Sequence, residues 1–126
     1  MSVCYLNGEF LNLKDAKISP LDRGFLFGDS IYEVFAAYDK KAFRIEEHLD
    51  RFYINLKEIK LTVNISRQEL KNIIELVIQK NDLSNQIIYF KKKIASLDVN
   101  FKKGNDNFWK SAERIIIEFI RPESLG

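Results

Sequence analysis

Histidine, cysteine and tryptophan each occur once in this 126-residue chain. With one imidazole (His48) and one thiol (Cys4), no H-x-x-x-H or C-x-x-C spacing exists, so no metal site is expected. Cys4 cannot form an intrachain disulfide, which agrees with a reducing compartment, and reads as a small core filler on a strand. No nucleophile elbow accompanies the lone histidine. Gly24 and Gly28 do not fit G-x-G-x-x-G, and no phosphate-cradling loop of the Walker type is present. No excess of one charge sign exists either. Twenty basic against 18 acidic residues leave a net charge of +2, which gives no case for nucleic acid or an anionic membrane as partner. The lysine runs 91–93 and 102–103, with Phe101, Phe108 and Trp109 as stacking candidates, read as solvated loop charge. No apolar run approaches the ~20 residues that span a bilayer, and the N-terminus lacks a basic segment followed by an apolar one. A cytoplasmic protein is expected.

What is present suits one globular domain. Hydrophobic residues make up 46% and charged residues 30%, ordinary values for a chain that buries a real core. Val3–Leu6 and Phe10–Leu13 flank Asn7-Gly8-Glu9, and Asn-Gly between short apolar runs predicts a hairpin because both residues tolerate positive φ. A third extended piece is expected at Ala16–Ile18. Asp39-Lys40-Lys41 reads as a turn into a short strand, Ala42–Ile45. Glu46–Lys60 has a helical stripe of Ile45, Leu49, Phe52, Leu56 and Ile59, with acids first and lysines last. Arg51 lies about 200° round from Leu49, off that stripe. Ser66-Arg67-Gln68-Glu69 has capping-box spacing and opens a second helix with the stripe Leu70, Ile73, Ile74, Val77 and Ile78, stopping near Asn81. Strands are expected at Gln86–Phe90 and Arg114–Ile120. The lysine- and asparagine-rich stretch between them, Lys91–Lys110, reads as a long or locally disordered loop. The fold class predicted is α+β, an antiparallel sheet with two helices packed on it.

The stretch Leu21–Val34 stands out. Its first half is a loop turned by Gly24 and Gly28, and its second half runs into a strand, Ile31–Tyr38. That strand is apolar on both faces, so it is expected inside a sheet covered on both sides. Glu33 is the exception. A carboxylate there has to be paired or face a wet cavity, because burying it bare is costly. Nearby on the first helix, His48 reads as a surface residue bonding locally, and Arg51 as a surface arginine within reach of Glu47 at i−4.

Taken together, Tyr5-Leu6-Asn7-Gly8, the run Asp22–Asp29, Ile31-Tyr32-Glu33 and Glu47-His48-Leu49-Asp50-Arg51 resemble the class IV (fold type IV) pyridoxal-phosphate enzymes. That group includes D-amino-acid aminotransferases, branched-chain aminotransferases and aminodeoxychorismate lyases. The likeness runs from residue 3 to about 90 in unbroken order and looks most like the D-alanine aminotransferase type. It implies pyridoxal 5'-phosphate as cofactor, an amino acid and a 2-oxo acid as substrates, and a homodimer. By the same likeness Arg51 would bind the cofactor's phosphate, a task suited to a bidentate, permanently charged guanidinium. Tyr32 would line the substrate side, and Glu33 would sit in the polar network beside cofactor and substrate. Asp22, Arg23 and Asp29 would brace the loop.

The resemblance also implies differences. Family members follow the strand with Q-x-T-R-G and R-x-H, a carboxylate trap, whereas Leu97 and Val99 stand at its arginine and histidine positions here. The family's cofactor-bonding lysine and the Glu at the pyridine nitrogen belong to a second domain. The expected organisation is therefore one α+β domain over residues 1–120, the start of an interdomain linker at 121–126, and no second domain. On that expectation the chain is the N-terminal or truncated part of an aminotransferase, with no catalytic residue of its own and inactive alone. The alternative is a non-catalytic small-molecule-binding or dimerisation module derived from the same fold.

Overall fold

The computed structural model describes residues 2–22, 25, 28, 30–61, 63, 65–94 and 113–120. Among these, six strands form one antiparallel sheet: β1 (Val3–Leu6), β2 (Glu9–Asn12), β3 (Ser30–Tyr38), β4 (Lys41–Ala42), β5 (Gln86–Ile94) and β6 (Glu113–Ile120). Their order is β2-β1-β6-β5-β3-β4. Two helices, α1 (Ile45–Glu58) and α2 (Arg67–Lys80), pack on one face. The α+β architecture expected from the sequence is the one observed.

The Asn-Gly signal acts as anticipated. Asn7 and Gly8 take φ of 53° and 95°, and the two-residue turn pairs Leu6 with Glu9, which gives the twist that adjoining strands need. The following piece differs from expectation. Leu13–Asp15 closes a 3-10 turn, and Ala16–Ile18 enters no ladder. At the other hairpin, Asp39 and Lys40 both take positive φ (49° and 58°), so β4 is confined to two residues before Ile45 starts α1.

The first helix buries Ile45, Leu49, Phe52 and Leu56, the stripe read from the sequence. Ile59 lies past its end and is exposed, because Ile59 and Lys60 cap the last turn instead of extending it. The second helix carries the full capping box: Glu69 N–H donates to Ser66 Oγ at 3.1 Å, and Ser66 N–H to Glu69 Oε2 at 2.9 Å. Asn81 ends it, and its side-chain amide donates to the Val77 carbonyl and the Val3 carbonyl while accepting from Val3 N–H. One asparagine thus stops the helix and ties it to β1. Arg67 links the helices by donating to Asp50 and Glu46, with Lys71 adding a second bond to Glu46.

Strand β5 corrects the reading of the lysine-rich stretch. It continues through Lys91, Lys92 and Lys93 to Ile94, because β3 and β6 supply ladder partners as far as Ser30 and Glu113. Backbone pairing on both sides overrides composition there, and Lys92 is buried rather than solvated. Residues 95–112, with Leu97, Val99, Phe101, Phe108 and Trp109, lie outside the described residues, as does the expected linker at 121–126. Strand β3 alternates as its period-two pattern requires. Glu33, Phe35 and Ala37 are buried toward the helices, whereas Tyr32, Val34 and Tyr38 on the other face are 58%, 40% and 53% exposed. The expectation that both faces are covered therefore fails. Among the described residues, helices cover one face only, and Tyr32 and Tyr38 on the other are exposed.

Candidate anion-binding site

The single carboxylate of β3 organises the site. Glu33 is 3% exposed, and β3 places it under the first two turns of α1, where His48 and Arg51 project one helical turn apart toward it. Arg51 Nε donates to Glu33 Oε1 at 2.7 Å and Arg51 Nη2 to Glu33 Oε2 at 2.7 Å. His48 Nδ1 lies 2.8 Å from Oε2. The imidazole also stacks on Phe35, with centroids 5.1 Å apart and planes 28° from parallel. Glu33 is paired, as burial demands.

Two readings are corrected by these contacts. His48 does not bond locally. It reaches a strand fifteen residues back in sequence, a partnership that helix periodicity alone cannot reveal. Nor does Arg51 pair with Glu47, which is taken by Arg44 at 3.2 Å. His48 is the site residue that sequence reasoning missed. The signal available was its i,i+3 spacing to Arg51 combined with an unexplained carboxylate on the neighbouring strand.

Burial pushes the Glu33 carboxyl up, but the hydrogen bonds and charges of Arg51 and His48 outweigh it and hold the group below its ordinary value of 4.5. The same pair raises Arg51, chiefly through the hydrogen bond to Glu33. A folded-state value below the unfolded one contributes stability that is complete above about pH 4.5 and is lost as pH falls through the folded value. Glu33→Gln should therefore cost about 2 kcal/mol at neutral pH. The gap in urea midpoint between the two proteins should close as pH falls below 4.5 and through the lowered folded-state value. A gap independent of pH would show that the carboxylate is not what stabilises.

Glu33 uses only one edge of the guanidinium. Nε and Nη2 form the edge that meets the carboxylate, and among the described residues no hydrogen bond engages Nη1. The Arg51 side chain is 63% exposed even so. The Nη1–Nη2 edge thus remains for an anion, and its fork geometry suits two oxygens of a phosphate or carboxylate.

Tyr32 is not brought to this cluster. It lies on the opposite face of β3, stacked on Tyr89 with ring centroids 5.5 Å apart. Asp22 is buried, and its carbonyl accepts from Phe25 N–H at 3.0 Å. Gly28 takes φ +66° just before β3, a value favouring glycine. The other bracing candidates, Arg23 and Asp29, and the second turn glycine, Gly24, lie outside the described residues. No group of three or more metal-ligating side chains occurs among the described residues, and no described helix is long and apolar enough to cross a membrane.

Fold and site together define an α+β domain in which a strand carboxylate holds one edge of a helix arginine whose side chain is otherwise exposed. Comparison with known proteins makes this specific. A family model described as amino-transferase class IV matches residues 30–120. D-alanine aminotransferase of Staphylococcus epidermidis is 43% identical over 89 residues, covering 71% of this chain and 32% of that protein. A putative branched-chain-amino-acid aminotransferase of Methanocaldococcus jannaschii is 36% identical over 84 residues, 67% of this chain and 29% of that protein. Among solved structures, the branched-chain amino acid aminotransferase of Escherichia coli superposes with a TM-score of 0.79 at 25% identity, covering 94% of this chain and 40% of that one. A second branched-chain amino acid aminotransferase, complexed with N-(5'-phosphopyridoxyl)-L-glutamate, shares the fold, with a TM-score of 0.75 at 24% identity over 92% of this chain and 39% of that one. The chain belongs to the class IV aminotransferase family. It spans about a third of the length of the curated relatives it matches.

Proposed function

We propose that this chain is the N-terminal, phosphate-gripping part of a pyridoxal-phosphate-dependent aminotransferase that moves amino groups between a D-amino acid and a 2-oxo acid. One observation carries the proposal: a guanidinium held along one edge by a buried carboxylate, with its other edge open, on a chain of the class IV family. The D-amino-acid preference draws on the staphylococcal relatives.

These residues fit the cofactor. Pyridoxal phosphate, when bound, supplies an electron sink for bond breaking at an amino acid's α-carbon. Arg51 would hold the phosphate through Nη1 and Nη2. Glu33, kept ionised by its partners, would fix the guanidinium without itself competing for the anion. Tyr32, with an exposed ring on the other face, is assigned to the substrate side, where its hydroxyl could meet a substrate carboxylate. Residues 1–120 form the domain in this reading, residues 121–126 begin a linker, and the amine that bonds the cofactor would come from a second domain outside this sequence. The chain alone would then be a binding part without turnover. The outward-facing Tyr32, Val34 and Tyr38 favour burial against further protein, in keeping with a homodimer, and the cytoplasm is the compartment proposed.

Titration of the chain with pyridoxal phosphate, followed by tyrosine and tryptophan fluorescence, tests the proposal. Saturable binding of one cofactor per chain is expected, with no amino transfer from D-alanine. Absence of saturable binding would overturn it.

A further inference from the structure

We propose that His48 is a positioning residue for the anion grip of Arg51, acting through Glu33. The ligand in this proposal rests on the function proposed above; the geometry does not.

An ionised carboxylate only accepts hydrogen bonds, so the 2.8 Å contact requires the proton to sit on His48 Nδ1. Glu33 Oε2 then receives two donors, Arg51 Nη2 and His48 Nδ1, while Oε1 receives one, Arg51 Nε. The terminal torsion of a glutamate is broad and roughly two-fold. Arg51 can follow a turning carboxylate, because its side chain is 63% exposed. Two groups that can swing together do not define a direction. A third contact from a ring that cannot swing does.

His48 has that rigidity. It is anchored on α1, stacks on the buried Phe35 ring, and its side chain is 20% exposed. Phe35 is itself locked in the core, edge-on to Phe90. The order of support runs from Phe35 to His48, to the plane of the Glu33 carboxylate, to the guanidinium plane, and so to the direction of the open Nη1–Nη2 edge. An arginine already aimed loses less freedom when an anion arrives, which is how preorganisation raises affinity.

Two substitutions separate the hydrogen bond from the stacking. His48→Phe keeps a ring against Phe35 and removes the donor. His48→Asn gives up the ring but keeps a donor close to the Nδ1 position. The ligand-free readout is the Arg51 Nε–H resonance in a proton–nitrogen spectrum, sharp when the guanidinium is held and lost by exchange when it is not. The ligand readout is affinity for pyridoxal phosphate. His48→Phe should lose the resonance and bind roughly 10-fold more weakly, whereas His48→Asn, which keeps a donor but not the stacked ring that steadies it, should keep a broadened resonance and fall between His48→Phe and wild type in affinity. An unchanged resonance in His48→Phe, or a loss in His48→Asn equal to that in His48→Phe, would overturn the proposal. Wild type alone gives a further check, since its imidazole nitrogen spectrum must show the proton on Nδ1; a proton on Nε2 only would refute it. If pyridoxal phosphate binds no variant and no wild type, the function proposed above fails, and the Arg51 resonance still decides the role of His48.

Discussion

Phe52→Ala should cost about 3–5 kcal/mol of folding stability, a large share of the roughly 5–15 kcal/mol that a domain of this kind possesses. Phe52 is 0% exposed, and its ring meets Phe90 on β5 at 4.8 Å and Tyr53 at 5.7 Å. Around it lie Leu49, Leu56, Leu70, Ile74 and Ile88, all at most 2% exposed. An alanine would leave a void walled by both helices and by the central strand, and close-packed neighbours relax into such a void only partly. Phe52 also follows Arg51 directly, so the contact that seats α1 on the sheet sets the height of the arginine above Glu33. Phe52→Leu, which keeps most of the volume, should cost only about 1 kcal/mol. Urea unfolding of the three proteins checks this. A cost below about 1 kcal/mol for the alanine variant would mean that the core is not centred on this residue.

Much of the fold was legible in the sequence because the signals were local. Asn7-Gly8, the Ser66–Glu69 capping box and the two apolar stripes each follow from residues within a few positions of one another. Strand β5 was underestimated for the opposite reason. Nothing in Lys91-Lys92-Lys93 favours a strand, and the ladder there depends on β3 and β6, which are distant in sequence. The second face of β3 was misjudged because an apolar side chain shows that burial is favourable, not that a partner is present. Within the site, Glu33 announced itself as a charge on an apolar strand, and Arg51 as a residue off the helix stripe. His48 did not, because its partner is set by a tertiary contact, and its i,i+3 spacing to Arg51 becomes a signal only once Glu33 is placed beside that helix. Tyr32 and Glu33 are neighbours in sequence yet lie on opposite faces of the sheet, a separation that the period of two does predict.

The second large effect concerns Arg51. If its outward edge grips a phosphate through two charge-assisted hydrogen bonds, the chain should bind pyridoxal phosphate on the order of 100-fold more tightly than pyridoxal, which has the same ring and aldehyde without the phosphate. Arg51→Gln should remove most of that preference, since an amide can offer two hydrogens but no charge. Pyridoxal itself should bind this variant about as weakly as wild type. The comparison cancels stacking and ring contacts, which the two ligands share, and isolates the anion. A control is needed because Arg51 also serves Glu33; a fluorescence-monitored unfolding curve shows whether the variant remains folded at the temperature used.

The ratio of affinities for pyridoxal phosphate and pyridoxal, measured on wild type and on folded Arg51→Gln, therefore tests most directly the proposal that this domain grips a phosphate through Arg51. The expected ratio is about 100 for wild type, falling to within a few-fold of unity in Arg51→Gln. Equal affinity for the two ligands in wild type, or a ratio that survives the loss of the guanidinium, would contradict that grip.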